Sequence, residues 1–348
     1  MGGAITFPLA GNGLQVRLWG TWLDEELICS CRRGPHPRLG RALPPEVRLF
    51  GSRELEEAVA GAELLFLAVS SEGFAAVLER LLASTAYVPG LPLFCLTKGF
   101  IPREGRILRP SACAAELYRA RFPGSPFRWA AVGGPVKAVE LARGVPTASV
   151  YALGDPALEP LLSSFSTPYY RVLAEGDLVG LEVCAALKNA YAILLGICDG
   201  LFSGSAASPV DNLKALLLSR AVGELAGIVE AAGGLPGTAY GLAGIGDLYV
   251  TAQSGRNRLL GERIGAGEEP TLAYARMRSS GQLAEGYLAV RHGRGFLESL
   301  PAPPDGGREL LDTLYRILFE GAGCRGELER LARDFPAHPA SRGASPRQ

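Results

Sequence analysis

The first half of this 348-residue sequence consists of short apolar segments separated by turn residues and helical patterns, and this alternation restricts the fold more than any other feature. The predicted strands cover residues 16–19, 64–69, 93–97, 130–133, 149–153 and 169–173. Helical patterns such as residues 74–83 lie between several of them. Strands that are apolar at every position are typical of a parallel sheet with both faces covered. The sequence therefore predicts an α/β fold with a doubly wound, Rossmann-type parallel sheet over residues 1–174.

The pattern changes near residue 175. Residues 181–201 form a long apolar segment with helical periodicity, and further helical patterns follow as far as about residue 334. We therefore expect an all-helical C-terminal domain over residues 175–335. Residues 336–348 are rich in Pro, Ser and Arg, a composition that provides no core, and this predicts a disordered tail.

Composition excludes several classes of function. The 35 basic and 35 acidic residues balance, so nothing indicates a general attraction to nucleic acid or to an anionic membrane. The three histidines are isolated and the seven cysteines are scattered, which argues against a metal site and against a Ser-His-Asp triad. No apolar run reaches the roughly 20 residues of a membrane span, and the start lacks a signal-peptide layout. These features predict a cytoplasmic protein that spans no membrane and binds a small ligand locally.

The opening stretch MGGAITFPLAGNGLQVRLWG looks like the second half of a βαβ nucleotide-binding unit. Gly2 fits the third glycine of a G-x-G-x-x-G motif, whereas the preceding strand and the first two glycines are absent. We therefore expect that Met1 is internal to a longer natural chain, that the first domain is incomplete at its start, and that the chain as written binds its cofactor weakly. The alternative is an N-terminal helix with no ligand, although Pro8 counts against a regular helix.

Lys188 lies in the middle of the most apolar helical segment. Burial of a lysine is costly unless it is paired, and it lowers the pKa towards neutrality. Such a lysine is a candidate general acid. The alternative is a lysine at the edge of the helix whose ammonium group reaches water.

Two further segments carry polar groups suited to binding an anion. Asp247 follows a glycine-rich turn, and Arg256 and Asn257 follow Ser254-Gly255 at a predicted helix start. Backbone N–H groups at a helix start and a guanidinium together suit a phosphate or carboxylate, although a solvated basic patch would give the same pattern. Lys98 ends a predicted strand, where open parallel sheets bind ligands.

Taken in order, these motifs resemble those of the NAD(P)-dependent glycerol-3-phosphate dehydrogenase family over nearly the whole chain. The similar segments are VRLWG, LTKG, GGP with ELARGVPT, ALKNAYAILLGICDGL, DNLKALLLSRAVGEL, GLAGIGDLYVT with SGRNRLLG, and GQLAEG. The resemblance implies an oxidoreductase that reversibly reduces dihydroxyacetone phosphate to sn-glycerol 3-phosphate with NAD or NADP as cofactor. It also implies a supply of glycerol 3-phosphate for phospholipid synthesis, and it leaves a homodimer open.

The resemblance assigns roles to individual residues and requires no metal. The residues with implied catalytic roles are Lys188 as proton donor, with Asn189 and Asp247 orienting it and the substrate hydroxyls. The residues implied to bind substrate are Lys98, Thr251, Arg256 and Asn257. The residues implied to contact the cofactor are Gly2, Lys98, Arg256 and Glu285.

Two departures from the family pattern affect these assignments. Val136-Lys137 follows GGP in place of a small polar residue, so that part of the substrate contact stays open. Thr21-Trp22 follows the LWG segment in place of an arginine suited to an adenosine 2′-phosphate. No acidic residue stands at the end of the strand either, since Asp24 comes three residues after Thr21. Because the guanidinium partner is missing there, the sequence leans slightly towards NAD.

Two alternative functions follow from the same residues. One is a ketoacid reductase of the 2-dehydropantoate type, which has a similar two-domain plan, although the Arg256-Asn257 turn favours a phosphorylated substrate. The other is a non-catalytic homologue in which the incomplete start impairs cofactor binding.

Overall fold

The computed structural model describes residues 1–202, 210–302, 304 and 307–333. The β-strands in this part of the chain are β1 (Arg17–Trp19), β2 (Arg48–Phe50), β3 (Leu65–Leu67), β4 (Leu93–Cys95), β5 (Ile101–Arg103), β6 (Arg106–Leu108), β7 (Trp129–Gly133), β8 (Thr147–Leu153) and β9 (Tyr170–Glu175). The α-helices are α1 (Gly2–Gly11), α2 (Glu25–Arg33), α3 (Leu55–Val59), α4 (Phe74–Ala83), α5 (Pro110–Arg121), α6 (Ala138–Ala142), α7 (Leu178–Phe202), α8 (Asp211–Ala231), α9 (Asp247–Gln253), α10 (Arg256–Gly265), α11 (Pro270–Ser279), α12 (Glu285–Glu298), α13 (Glu309–Phe319) and α14 (Cys324–Arg333).

The N-terminal half contains a five-stranded sheet in the order β3-β4-β7-β8-β9, a parallel pair β1-β2 and a hairpin β5-β6. All neighbours in the five-stranded sheet are parallel except β7 and β8, which run antiparallel. The six predicted strands are all present. The β1-β2 pair and the five-stranded sheet are separate in their hydrogen bonding within the described residues.

Helices cover both faces of this sheet. On one face, Phe74 and Leu78 of α4 and Tyr118 of α5 share a buried cluster with Trp129 of β7. On the other face, the α1 side chains pack in a second cluster with Phe94 of β4 and neighbouring strand residues. The doubly wound arrangement predicted from the sequence is thus confirmed.

Helix α1 continues through Pro8, which differs from the sequence-based expectation. Proline removes one backbone donor and is normally unfavourable inside a helix. Here Ile5, Phe7 and Leu9 are buried against the sheet, and Pro8 itself is buried. Tertiary packing of these side chains outweighs the local preference, because most helix stability in proteins comes from packing.

The C-terminal half is helical and is built around α7. This 25-residue helix is long and apolar enough to cross a membrane, but most of it is buried inside the protein. Leu187 and Tyr191 of α7 lie in a cluster to which the surrounding helices contribute, among them Leu225 of α8 and Leu311 of α13. Its burial identifies α7 as the core helix of this half.

Helices α7 and α10 approach so closely that their backbones touch. A Cβ atom on Gly196 of α7 would collide with the carbonyl oxygen of Arg258, and one on Gly261 of α10 would collide with that of Ile193. Only glycine fits at these two positions. The position of α10 relative to α7 is therefore fixed by backbone contact.

The chain passes from sheet to helices between Glu175, the end of β9, and Leu178, the start of α7. Asp177 stabilises this junction by accepting hydrogen bonds from the Gly180 and Leu235 amides, both at 2.8 Å. The predicted domain boundary between residues 174 and 175 remains a prediction, and the predicted tail at 336–348 lies outside the described residues.

Candidate active site

One buried carboxylate joins two lysines that come from different halves of the molecule. Asp247, at the start of α9, accepts hydrogen bonds from Lys188 Nζ at Oδ1 and from Lys98 Nζ at Oδ2, the second at 2.7 Å. Lys188 also donates to Thr251 Oγ1 at 3.1 Å. The structure therefore brings four of the residues singled out in the sequence into one cluster at the carboxyl end of β4.

Burial and the neighbouring charges together determine the charge states of Lys188 and Asp247. Lys188 and Asp247 are only 5% and 2% exposed. Burial lowers the pKa of Lys188 to about 8, with the charge of Lys98 acting in the same direction and Asp247 opposing it. Burial alone would raise the pKa of Asp247, but the two lysines lower it below its usual value. Asp247 is therefore ionised at neutral pH, and the lysine beside it has the lowered pKa of a group suited to proton transfer.

The side chain of Asn257 connects three helices behind the lysines. Its Nδ2 donates to Oδ1 of Asn189 on α7, and its Oδ1 accepts from the backbone amide of Gly286 on α12, both at 2.9 Å. Asn257 lies in the first turn of α10 and is buried. Its amide is largely occupied by protein partners, which leaves one N–H for a ligand.

The remaining predicted cationic group lies at the start of α10. Arg256 follows Gly255, whose φ of +129° is in a range that favours glycine. Arg256 is exposed, so its guanidinium is open to a ligand. Burial raises the pKa of Glu285, at the start of α12, while Arg256 and then Lys188 and Lys98 oppose the rise. Glu285 therefore lies within electrostatic reach of both lysines and the arginine.

The start of α1 lies at the same edge of the sheet. A Cβ on Gly2 would be 3.3 Å from the Cβ of Ala68, directly after β3, and this close approach suits a residue without a side chain. Thr97, next to Lys98, donates to the Val69 carbonyl at 2.8 Å. Gly2 and Lys98 are thus both connected to the segment that follows β3.

These features fit a dinucleotide. The site lies beyond the carboxyl ends of parallel strands, where such folds bind nucleotides. The first turn of α1 begins at Gly2, and the dipole at a helix N-terminus favours a pyrophosphate. The residues that would hold the group are Gly2, Lys98, Arg256 and Glu285. Within the part of the chain that the structure describes, no group of His, Cys, Asp and Glu residues could hold a metal ion.

Sequence reasoning missed two backbone groups of this site, the Gly134 carbonyl that accepts from Lys98 Nζ at 3.4 Å and the Gly286 amide that donates to Asn257. No side-chain pattern could have indicated them. It also did not single out Arg80, which α4 carries to the carboxyl ends of β1 and β2, where it donates to the Ser52 carbonyl. Lys137, after GGP, pairs with Glu140 at 3.5 Å instead of joining the lysine cluster.

Comparison with known proteins gives matches over both halves. The family model for the NAD-dependent glycerol-3-phosphate dehydrogenase N-terminus matches residues 1–159, and the model for the C-terminus matches residues 177–329. The chain is 33% identical to an NADP(+)-dependent glycerol-3-phosphate dehydrogenase of Archaeoglobus fulgidus, over 95% of this chain and 96% of that relative. It is 34% identical to a glycerol-3-phosphate dehydrogenase [NAD(P)+] of Symbiobacterium thermophilum, over 97% and 92% of the two chains.

A solved structure supports the same relationship. The glycerol-3-phosphate dehydrogenase of Coxiella burnetii superposes with a TM-score of 0.79 at 25% sequence identity, and the match covers 94% of each chain. The similarity therefore extends over both the sheet and the helices that form the site.

Proposed function

This chain belongs to the NAD-dependent glycerol-3-phosphate dehydrogenase family, and from that premise we propose that it reversibly reduces dihydroxyacetone phosphate to sn-glycerol 3-phosphate with NAD(H) or NADP(H). The observation that carries the proposal is the Asp247 carboxylate between the ammonium groups of Lys188 and Lys98. The alternatives of a 2-dehydropantoate-type reductase and of a non-catalytic homologue are not favoured, because both family models match this chain.

The lysines supply what reduction of a ketone requires. When bound, the nicotinamide cofactor supplies a hydride to the carbonyl carbon. Negative charge then develops on the carbonyl oxygen, and Lys188 donates a proton from Nζ to that oxygen. A pKa of about 8 for Lys188 keeps most of the group protonated at neutral pH while making the proton easy to transfer. Because the cluster is buried, its charges act on the transition state with little screening by water.

Asp247 orients both lysines, and we assign Asn189 a supporting role. Asp247 fixes the two Nζ atoms on opposite oxygens of one carboxylate. Asn189 follows Lys188 on α7 and is held by Asn257 at 2.9 Å. Side chains whose own partners are fixed need little reorganisation during the reaction.

We propose that the substrate phosphate binds near the start of α10. Arg256 offers an exposed guanidinium there, and the backbone N–H groups of the first helical turn favour an anion. Thr251, Lys98 and the free N–H of Asn257 complete the proposed substrate contacts. Binding of the distant phosphate positions the carbonyl beside Lys188.

The cofactor contacts proposed for this chain are Gly2, Lys98, Arg256 and Glu285. Between the two nucleotides, we propose a slight preference for NAD over NADP, which depends on the residues at the end of β1. Asp24 supports the lean, because its carboxylate is held there by the Thr21 amide at 3.1 Å and would repel a 2′-phosphate. Arg80 acts in the opposite direction and is considered below.

We also propose that the reaction takes place in the cytoplasm and supplies glycerophospholipid synthesis. A homodimer remains an open expectation.

Oxidation of NADH and of NADPH, followed by absorbance, tests the function with dihydroxyacetone phosphate and with ketopantoate as alternative substrates. We expect oxidation that depends on dihydroxyacetone phosphate and is lost in Lys188→Ala. Activity with ketopantoate alone, or equal activity in wild type and variant, would overturn the proposal.

A further inference from the structure

The guanidinium of Arg80 lies within cation–π distance of two tryptophan rings. Its central carbon lies 5.7 Å from the ring centroid of Trp19 and 5.8 Å from that of Trp22. Its Nη2 donates to the Ser52 carbonyl at 2.7 Å. Trp19 is the last residue of β1 and Ser52 follows β2, so these contacts place the positive charge at the carboxyl ends of two parallel strands.

In a dinucleotide-binding fold, this position lies near the ribose of the adenosine half. The ribose of the adenosine half lies near a side chain about 20 residues after the glycine motif, and the charge there separates NAD from NADP. Thr21 to Asp24 are at that distance from Gly2. Arg80 reaches the same strand end from a helix much later in the chain.

The contacts of Arg80 hold its charge in place without neutralising it. Among the described residues, Arg80 forms no ion pair, and it donates a hydrogen bond to a neutral carbonyl. Nearby carboxylates have other partners, since Asp24 accepts from Thr21 Oγ1 at 2.6 Å and Glu25 accepts from the Ser52 amide at 2.7 Å. Trp22 is 43% exposed and Arg80 is half-buried, so neither side chain is closed off from solvent.

We propose that Arg80, which lies close to the Trp19 and Trp22 rings, binds the 2′-phosphate of NADP(H) and allows this chain to use NADP as well as NAD. A planar guanidinium suits a phosphate because it offers parallel N–H donors. Asp24 acts against it by favouring the uncharged ribose diol of NAD. The inference rests on the proposed function, since it assigns cofactor selectivity within that same reaction.

Calorimetric titration of the full chain with adenosine 2′,5′-bisphosphate and with adenosine 5′-monophosphate tests the inference without substrate or turnover. The two nucleotides differ only in the 2′-phosphate. We expect wild type to bind both nucleotides. Arg80→Leu should bind the bisphosphate at least about tenfold more weakly than wild type does and leave the affinity for the monophosphate unchanged, because a hydrogen bond to a charged group typically changes affinity by that factor or more. Asp24→Asn should strengthen binding of the bisphosphate.

Two further variants control for folding and for loss of charge alone. Arg121→Leu removes an arginine that lies 5.8 Å over the Phe122 ring at the end of α5, and it should leave both affinities unchanged. Arg80→Lys keeps the charge and should give an intermediate affinity for the bisphosphate. The ratio of kcat/KM for NADPH to that for NADH should fall in Arg80→Leu in parallel with the binding ratio.

Wild type that does not bind the bisphosphate overturns the inference. So does an Arg80→Leu variant that binds the bisphosphate as tightly as wild type does while its circular dichroism matches wild type. Failure of the proposed function is a separate result, because it shows as the absence of dihydroxyacetone phosphate reduction with either cofactor and does not depend on the nucleotide titration.

Discussion

Asn257 donates a hydrogen bond to Asn189 across 2.9 Å, so the residue after the proposed phosphate ligand holds the residue after the proposed proton donor. Asn257 Oδ1 accepts a hydrogen bond from the backbone amide of Gly286 at 2.9 Å. Gly286 is the residue after the proposed cofactor contact Glu285. Each of the three proposed functions, proton donation, phosphate binding and cofactor binding, is therefore connected to one buried side chain.

Asn257→Ala should lower both stability and turnover. The variant leaves the Asn189 oxygen and the Gly286 amide without partners, and each buried unpaired group costs about 1–3 kcal/mol. Urea unfolding and steady-state kinetics measure the two effects. Asn12→Ala is the matched control, because Asn12 also makes two hydrogen bonds, to the Ser164 and Ser166 carbonyls, but is exposed. Equal losses of stability in both variants would contradict this role of Asn257.

Lys188→Ala should reduce turnover by about 10²–10⁴-fold, the usual contribution of a general acid, and leave the fold intact. Lys214→Ala is the control, because Lys214 also pairs with an aspartate, Asp199 at 2.8 Å, but is not assigned to the reaction. Single-turnover reduction of dihydroxyacetone phosphate measures the effect. More than half of wild-type turnover in Lys188→Ala would show that another group supplies the proton.

The rate of reduction should fall as pH rises through about 8. Burial lowers the pKa of Lys188 to about 8, and only the protonated amine can act as the acid. Lys98 contributes to the lowering, so Lys98→Met should move the inflection of the kcat profile to higher pH, although it also weakens substrate binding. An inflection that does not move would mean that the profile reports a group other than Lys188.

Arg256→Ala should raise the KM for dihydroxyacetone phosphate and lower kcat, because the phosphate contact also positions the carbonyl. Arg263→Ala, which removes an arginine from the last turn of the same helix, should leave both constants near the wild-type values. Steady-state kinetics at saturating cofactor provides the comparison. An unchanged KM in Arg256→Ala would place the phosphate elsewhere.

Glu224→Gln should flatten the dependence of stability on pH. Burial raises the pKa of Glu224 from 4.5 to about 7, although its hydrogen bonds to the Leu310 and Leu311 amides act in the opposite direction. The folded protein therefore holds this proton more tightly than the unfolded chain does. The resulting stabilisation is complete below about pH 4.5 and is lost as pH rises through about 7.

Urea unfolding of wild type and Glu224→Gln across this pH range tests the prediction. The free energy of unfolding of the variant should rise relative to that of wild type as pH rises. Glu230→Gln, at an exposed position of the same helix, should follow the wild-type curve. Parallel curves for wild type and Glu224→Gln would show that Glu224 does not titrate in this range.

The strands that could be predicted are those with continuous apolar runs, such as Leu93–Cys95. Arg48–Phe50 was missed because it has only two apolar residues and is stabilised by pairing with β1 instead of by its own pattern. The hairpin β5-β6 was missed for a similar reason, since Pro102 and the arginines at 103 and 106 conceal it. The antiparallel direction of β8 also left no local signal.

The site residues could be named from motifs, whereas their grouping could not. Lys98 and Lys188 lie 149 and 59 residues from Asp247 along the chain, so only the fold brings them to one carboxylate. Arg80, the proposed ligand of the 2′-phosphate, could not be predicted because it comes from α4 and not from the segment directly after β1. The roles assigned to these residues remain predictions.

The glycine contacts between α7 and α10 have a consequence for substrate choice. A shift of either helix along the other by one residue would drive a side chain into a backbone carbonyl, so the two helices move as one rigid body. Lys188 is carried by one helix and Arg256 by the other, so the spacing between the backbones of the proposed proton donor and the proposed phosphate ligand is fixed. We therefore expect the protein to discriminate against phosphorylated ketones in which the carbonyl and the phosphate are one carbon further apart.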